Sequence, residues 1–310
     1  MTSKISILIA LALWVIVQPI PACSETLDDI LAKAHSYMET WDHAEALVLL
    51  DQALEIEQGR SRIWFERGTA KRETGDRQGA LLDFDQALAL DPNEAEYIYE
   101  RAMIREYVQD YEGTVEDCDR FLKIDSGNEY ILSLRAGAKN QLKDYAGAVA
   151  DYTSAIEMTP NNPETYYFRG FARADLGDWD GAIADFTTVM TMEPLDSYQP
   201  DKRETALLRR AQVKYQAEDY EGAVADCDLA LVQDDSNLEA LFIRGLVRTA
   251  ASEFSAAIQD FDLVIATYPL PRAYHKRGLA KQGLGDEAGA EADFKQAQSL
   301  GYEVSDDPME

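Results

Sequence analysis

Small, apolar and polar positions return along the chain at a fixed interval. A small residue stands at Ala34, Gly68, Ala102, Ala136, Gly170, Ala211, Gly245 and Gly278, with spacings of 34, 34, 34, 34, 41, 34 and 33 residues. Twelve residues after each comes a second small position, Ala in seven cases and Thr114 in one. Sixteen after it comes a large or aromatic position, filled by Leu50, Phe84, Cys118, Tyr152, Phe186, Cys227, Phe261 and Phe294. Nineteen after it the chain is apolar again, from Ala53 to Ala297. The steps of four and three from Ala182 to Phe186 to Val189 place these residues on one stripe of a helix. Gly177-Asp178 interrupts the pattern between two such helices, and an acid occupies the same place in all eight cycles, from Asp42 to Asp286. An acidic side chain suits a helix N-terminus, where backbone N–H groups lack partners. The pattern therefore predicts eight pairs of short helices. Their small residues, such as Gly170 and Ala182, mark crossings where two axes come within about 8–10 Å.

A 34-residue helix-turn-helix with small, aromatic, small and Pro positions in this order resembles the tetratricopeptide repeat. Pro92, Pro160, Pro194 and Pro269 close four of the cycles. The resemblance implies an all-α fold, an α-solenoid in the form of a right-handed superhelix, with units starting near 27, 61, 95, 129, 163, 204, 238 and 271. It covers residues 27–304. One unit cannot bury its own apolar face, so neighbours must share a continuous core. Seven extra residues fall near 195–203, where Pro194 and Pro200 argue for a loop, expected to divide the array into five units and three. The eighth unit puts Glu291 and Gln298 where earlier ones have aliphatics, as expected of a capping repeat with one wet face. Residues 305–310 form a short acidic tail.

A second periodicity is electrostatic. Seven units carry Arg directly before the small residue (Arg67, Arg101, Arg135, Arg169, Arg210, Arg244 and Arg277) and another base four residues later. The same seven carry Asp before the aromatic position: Asp83, Asp117, Asp151, Asp185, Asp226, Asp260 and Asp293. The first unit lacks all three, with Lys33, Tyr37 and Leu49 in their places. Joint presence and absence predicts an Arg–Asp pair between the two helices of each unit. The ladder takes 14 of the 29 bases but only 7 of the 57 acids, leaving the remaining surface more acidic still.

The family resemblance implies a concave groove lined by the first helix of each unit. Mapped onto this chain, the peptide-binding groove comprises Phe65, Tyr99, Met103, Tyr130, Tyr167, Phe171, Tyr215 and Phe242, with acids such as Glu100, Glu164 and Asp175 beside them. Aromatic side chains with polar neighbours form peptide-binding surfaces. The formal charge of −28 repels phosphate backbones and disfavours nucleic acid as a ligand. The expected partner is a protein or peptide, basic or aromatic in character.

The first residues read as an export signal. Lys4 is followed by Ile5 to Val17, thirteen residues with only Ser6 polar, and then by a small-residue exit. That apolar run is shorter than the roughly 20 residues of a membrane-spanning helix. Ile20-Pro21-Ala22-Cys23 resembles the bacterial lipobox, which implies lipidation at Cys23; the alternative is ordinary cleavage nearby. Residues 1–22 are thus expected to be removed, 23–26 to form a short linker, and the protein to be periplasmic or lipid-anchored in the cell envelope. A membrane contact is expected only through that anchor.

Cys118 and Cys227 occupy the aromatic core position three units apart, which reads as two small core hydrophobes and not as a disulfide. The three His show no metal-like spacing, and no cofactor, metal or catalytic residue is assigned. Gly283, Gly285 and Gly289 fall at a repeat turn with no strand before them, unlike a phosphate loop. The expected function is a non-catalytic interaction scaffold of the cell envelope. The alternative is an envelope hydrolase or transferase with a carboxylate site in the groove.

Overall fold

The computed structural model describes residues 25–192 and 202–303. The signal segment, Cys23, most of the seven-residue insertion and the acidic tail lie outside the described residues. Sixteen helices of 13 or 14 residues account for nearly all of the rest. They are α1 (Leu27–Glu39), α2 (His43–Ile56), α3 (Ser61–Glu73), α4 (Arg77–Leu90), α5 (Ala95–Tyr107), α6 (Tyr111–Ile124), α7 (Glu129–Gln141), α8 (Tyr145–Met158), α9 (Pro163–Leu176), α10 (Trp179–Thr191), α11 (Arg203–Gln216), α12 (Tyr220–Gln233), α13 (Leu238–Ala250), α14 (Phe254–Thr267), α15 (Pro271–Leu284) and α16 (Glu287–Ser299). There is no strand among the described residues. The chain divides into two compact units, one ending at Gln109 and one starting at Asp110. In the first, α1 to α5 pack in sequence order, each against the next; in the second, α6 to α16 do the same.

Each turn inside a repeat is made the same way. The residue before the capping acid adopts a left-handed backbone in all eight repeats. It is glycine in three, for example Gly177 at φ +84°, and a larger residue in five, for example Lys143 at φ +64°. The acid that follows caps the second helix: Asp144 Oδ1 accepts from the Gly147 N–H at 3.0 Å and Asp178 Oδ1 from the Gly181 N–H at 3.1 Å. The third helical residue is Gly in every repeat where this bond forms. A Cβ at Gly181 would lie 2.1 Å from Asp178 Oδ2, so the cap needs that space. Asp42 and Glu253, whose third residues are Glu45 and Ala256, make no such bond.

The core repeats with equal regularity. Phe84, Phe186 and Phe261 are fully buried between the paired helices. Each faces a glycine: a Cβ at Gly68 would lie 2.7 Å from the Phe84 ring, and one at Gly245 would lie 2.8 Å from Phe261. Where the aromatic position holds a smaller side chain, as at Leu50 or Cys227, the facing residue is Ala34 or Ala211. Cys118 and Cys227 are free and buried, and burial pushes each thiol up to about 12. They are core side chains, not thiolates.

The seven-residue insertion does not divide the packing. Ala182, Phe186 and Val189 of α10 form one cluster with Ala206 and Val213 of α11, so the core runs past it. The observed division falls instead between Gln109 and Asp110.

Within each unit the Arg–Asp pairs form as the periodicity predicts. Arg169 donates through Nε and Nη2 to the two carboxylate oxygens of Asp185 at 2.9 and 2.7 Å. Arg67, Arg135, Arg210 and Arg277 grip Asp83, Asp151, Asp226 and Asp293 in the same fork, and Arg244 grips Asp260. The second base closes on the same carboxylate, as in Arg173–Asp185 at 2.9 Å and Lys139–Asp151 at 2.8 Å. A feature not expected from sequence is that each of these arginines also reaches back one repeat. Arg67 Nη1 meets Asp51 at 2.7 Å, Arg135 meets Asp119 at 2.6 Å and Arg244 meets Asp228 at 2.5 Å. At two junctions the acceptor is a hydroxyl, with Arg169 on Thr153 at 3.2 Å and Arg210 on Thr187 at 2.8 Å. One guanidinium thus ties two successive second helices, a use that suits its planar, multidentate geometry. The eighth repeat carries Lys295 at this acceptor position, paired with Glu291 on its own helix at 2.5 Å.

Candidate functional site

The first helices (α1, α3, α5 in the first unit; α7, α9, α11, α13, α15 in the second) carry the residues that the groove assignment singled out. Two of the eight are lost to the core. Phe65 is only 4% exposed and stacks on Tyr97 at a ring separation of 4.5 Å, with Phe84 at 5.6 Å. Phe242 is 3% exposed and meets Phe261 edge-on at 5.8 Å. Both fill the seam between adjacent first and second helices and present no surface to a ligand. This corrects the sequence assignment: the second helix of the same repeat covers each ring with Phe84 or Phe261, and the next repeat adds Tyr97 over Phe65.

Tyr99 and Met103 on α5 are half-buried, as are Tyr167, Phe171 and Tyr215 in the second unit, while Tyr130 is 45% exposed. In the first unit the charges of this face form a closed network. Arg62 binds Glu66 at 3.0 Å and Glu96 at 2.6 Å, and Arg72 binds Glu73 and Glu100. Burial raises the Glu100 carboxyl above its ordinary value, with Arg72 opposing.

In the second unit the structure gathers Tyr167 and Phe171, whose rings meet edge-on at 5.0 Å, with Phe171 lying 5.5 Å from the buried ring of Phe186. Beside them opens a cleft of about 470 Å³, floored by Phe171, Phe186 and Val213. Its polar residues are Asp175 from α9, Arg209, Gln212 and Gln216 from α11, Glu239 from α13 and Arg272 from α15. Lys202 caps the neighbouring aromatic surface, 5.1 Å from the Tyr167 ring and 4.7 Å from Phe168, while bound to Glu164 at 2.6 Å. Tyr130, Tyr167 and Tyr215 are not among the cleft's lining residues. Arg209 and Arg272 were not singled out in sequence. Arg209 lies two residues before the small position and Arg272 six before it, outside the Arg periodicity, and that departure is the signal that marks them.

Among the described residues no group of three His, Cys, Asp or Glu is arranged to hold a metal ion, and no helix is long and apolar enough to cross a membrane.

Comparison with known proteins agrees with the repeat geometry. Residues 31–95, 205–270 and 271–300 match families described as Tetratricopeptide repeat, and residues 138–177 match one described as TPR repeat. No curated protein matches the sequence. Among solved structures, PilW, described as a widely conserved type IV pilus biogenesis factor, is similar with a TM-score of 0.56 and 19% identity; the match covers 67% of this chain and 94% of that one. MamA from Desulfovibrio magneticus RS-1, residues 41 to the end, has a TM-score of 0.51 and 19% identity over 55% of this chain and 96% of that one. At such identities the likeness is one of fold. Sequence period, helix register and family matches agree: the chain is built of tetratricopeptide repeats.

Proposed function

We propose that the protein is a non-catalytic scaffold that binds segments of partner proteins on the first-helix faces of its repeats. The observation that carries this reading is the cleft of the second unit. It combines the half-buried Phe171 ring, with Tyr167 beside it, with amide and charged side chains on helices, the composition of a surface that recognises an extended peptide. The helix pairs take up nearly all of the described chain, and each titratable ladder residue is committed to a neighbour in the stack. The export signal read in residues 1–22 supports a place in the cell envelope, with Cys23 as the anchor if it is lipidated. Mass spectrometry of the mature N-terminus checks that part separately; an unmodified start downstream of Cys23 removes the anchor.

The scaffold reading is tested by placing a photo-crosslinking amino acid at Phe171 or Tyr167, and as a control at Val232, which is 84% exposed on the second helix of its repeat. In intact cells these two first-helix positions should capture the same defined partner and the control should not. Capture from Val232 alone, or from no position, rejects the reading.

A further inference from the structure

The cleft of the second unit holds four charged side chains, and they are not equivalent. Arg209 and Glu239 face each other, with Nη2 3.8 Å from Oε1, and Arg209 also donates to Gln212 Oε1 at 2.7 Å. These two charges largely neutralise one another. Among the described residues, Asp175 and Arg272 have no ionic partner. The Arg272 guanidinium lies on the Phe242 ring at 4.5 Å and touches no carboxylate of the described residues. Asp175 makes no hydrogen bond or ion pair with any described residue, and partial burial raises its carboxyl above the ordinary value. The two stand on α9 and α15, the outermost of the four first helices that line the cleft, with the half-buried Phe171 ring and the amide of Gln216 also in the wall.

Everywhere else in the second unit's ladder, and throughout the network on the first unit's first helices, bases and acids close on each other. In a chain carrying 57 acids against 29 bases, an arginine without a carboxylate is the exception. A ligand of one sign would satisfy one end of this cleft and be repelled by the other. A segment carrying both signs satisfies both ends and meets no net repulsion from the surrounding acidic surface. We propose that this cleft binds a peptide segment presenting a basic side chain to Asp175, an apolar or aromatic one to Phe171 and a carboxylate to Arg272. The proposal rests on the scaffold reading and specifies the partner chemistry for this one site. It narrows the expectation of a basic or aromatic ligand, because the cleft's unpaired cation calls for an acid as well.

The test uses fluorescein-labelled Gly/Ser peptides with a central Phe, flanked by Lys and Glu in either order, by Lys on both sides, or by Glu on both sides. Fluorescence anisotropy against the full chain should show one mixed-charge peptide binding roughly tenfold or more tighter than both single-sign peptides. Arg272→Glu should transfer the preference to the double-Lys peptide, and Asp175→Lys to the double-Glu peptide. Both side chains stand on the exposed rim, and circular dichroism verifies that each variant keeps its helices. Arg272→Gln serves as a milder second variant that should only erase the preference. A single-sign preference in the unaltered protein, or a preference that neither charge reversal moves, overturns the proposal while a bound peptide leaves the scaffold reading standing. Absence of binding by every peptide also overturns it, and the crosslinking experiment then judges the scaffold reading on its own.

Discussion

At the scale of single residues, two local rules recur: glycine faces phenylalanine, and glycine follows a capping aspartate. The first predicts a measurable coupling. Gly245→Ala puts a methyl 2.8 Å from the Phe261 ring, closer than carbon atoms tolerate, and should cost about 1–3 kcal/mol of stability. Phe261→Cys removes most of that ring and should cost about 3–5 kcal/mol alone, by analogy with other large-to-small core changes. Together they recreate the Ala211 and Cys227 pairing of the preceding repeat. Urea unfolding of the double variant should show less destabilisation than the two single losses combined; additivity would mean that the ring and the glycine do not share one space. The second rule predicts a gain. Glu253→Asp with Ala256→Gly rebuilds the missing cap on α14 and should add about 1 kcal/mol. Neither change alone should do so, because a Cβ at the third position would crowd the carboxylate out.

At the scale of helices, the Arg–Asp fork locks the two members of a repeat, and its outer nitrogen ties that repeat to the one before. Arg169 and Asp185 keep only 10% and 3% of their side chains exposed. Removing one partner strands a buried charge, so Asp185→Ala should cost about 3–5 kcal/mol, and a double-mutant cycle with Arg169→Met should show clear coupling. Independent losses would reduce the ladder to a coincidence of spacing. This lock was legible in the sequence because both members belong to one repeat and vary together. The backward tie was not, since aligning repeats on their own landmarks treats each as closed, while Asp51 and Asp228 serve the arginine of the next repeat. The same limit explains the groove. Phe65, Tyr167 and Phe242 hold the same place in their repeats, and only the adjoining helices decide which is covered. Asp175 and Arg272 come from the fifth and eighth repeats, and no local pattern brings them together.

At the scale of the whole molecule, charge sets both pH and salt behaviour. Burial works against ionisation of Asp293, but hydrogen bonds from Arg277 and Lys281 outweigh it and hold the carboxyl below its ordinary 3.8. A carboxyl lowered by folding adds stability above its unfolded value, and that stability is lost as pH falls through the lowered one. The array should therefore weaken below about pH 4, and Asp293→Asn should flatten that part of the profile. Salt acts through a different set of groups. Exposed acids at a net charge of −28 repel one another, and added ions screen that repulsion. The buried forks exclude ions and are screened much less than exposed charges, whose mutual repulsion dies away over about 8 Å at physiological ionic strength. The melting temperature should accordingly rise with sodium chloride through the sub-molar range, measured by circular dichroism at neutral pH. A fall would mean that exposed ion pairs such as Arg62–Glu96 contribute more than the repulsion costs. A mixed-charge peptide should respond in the opposite sense, losing affinity as salt screens its contacts with Asp175 and Arg272. Stability and binding would then separate cleanly in one titration: the scaffold tightens while its cleft lets go.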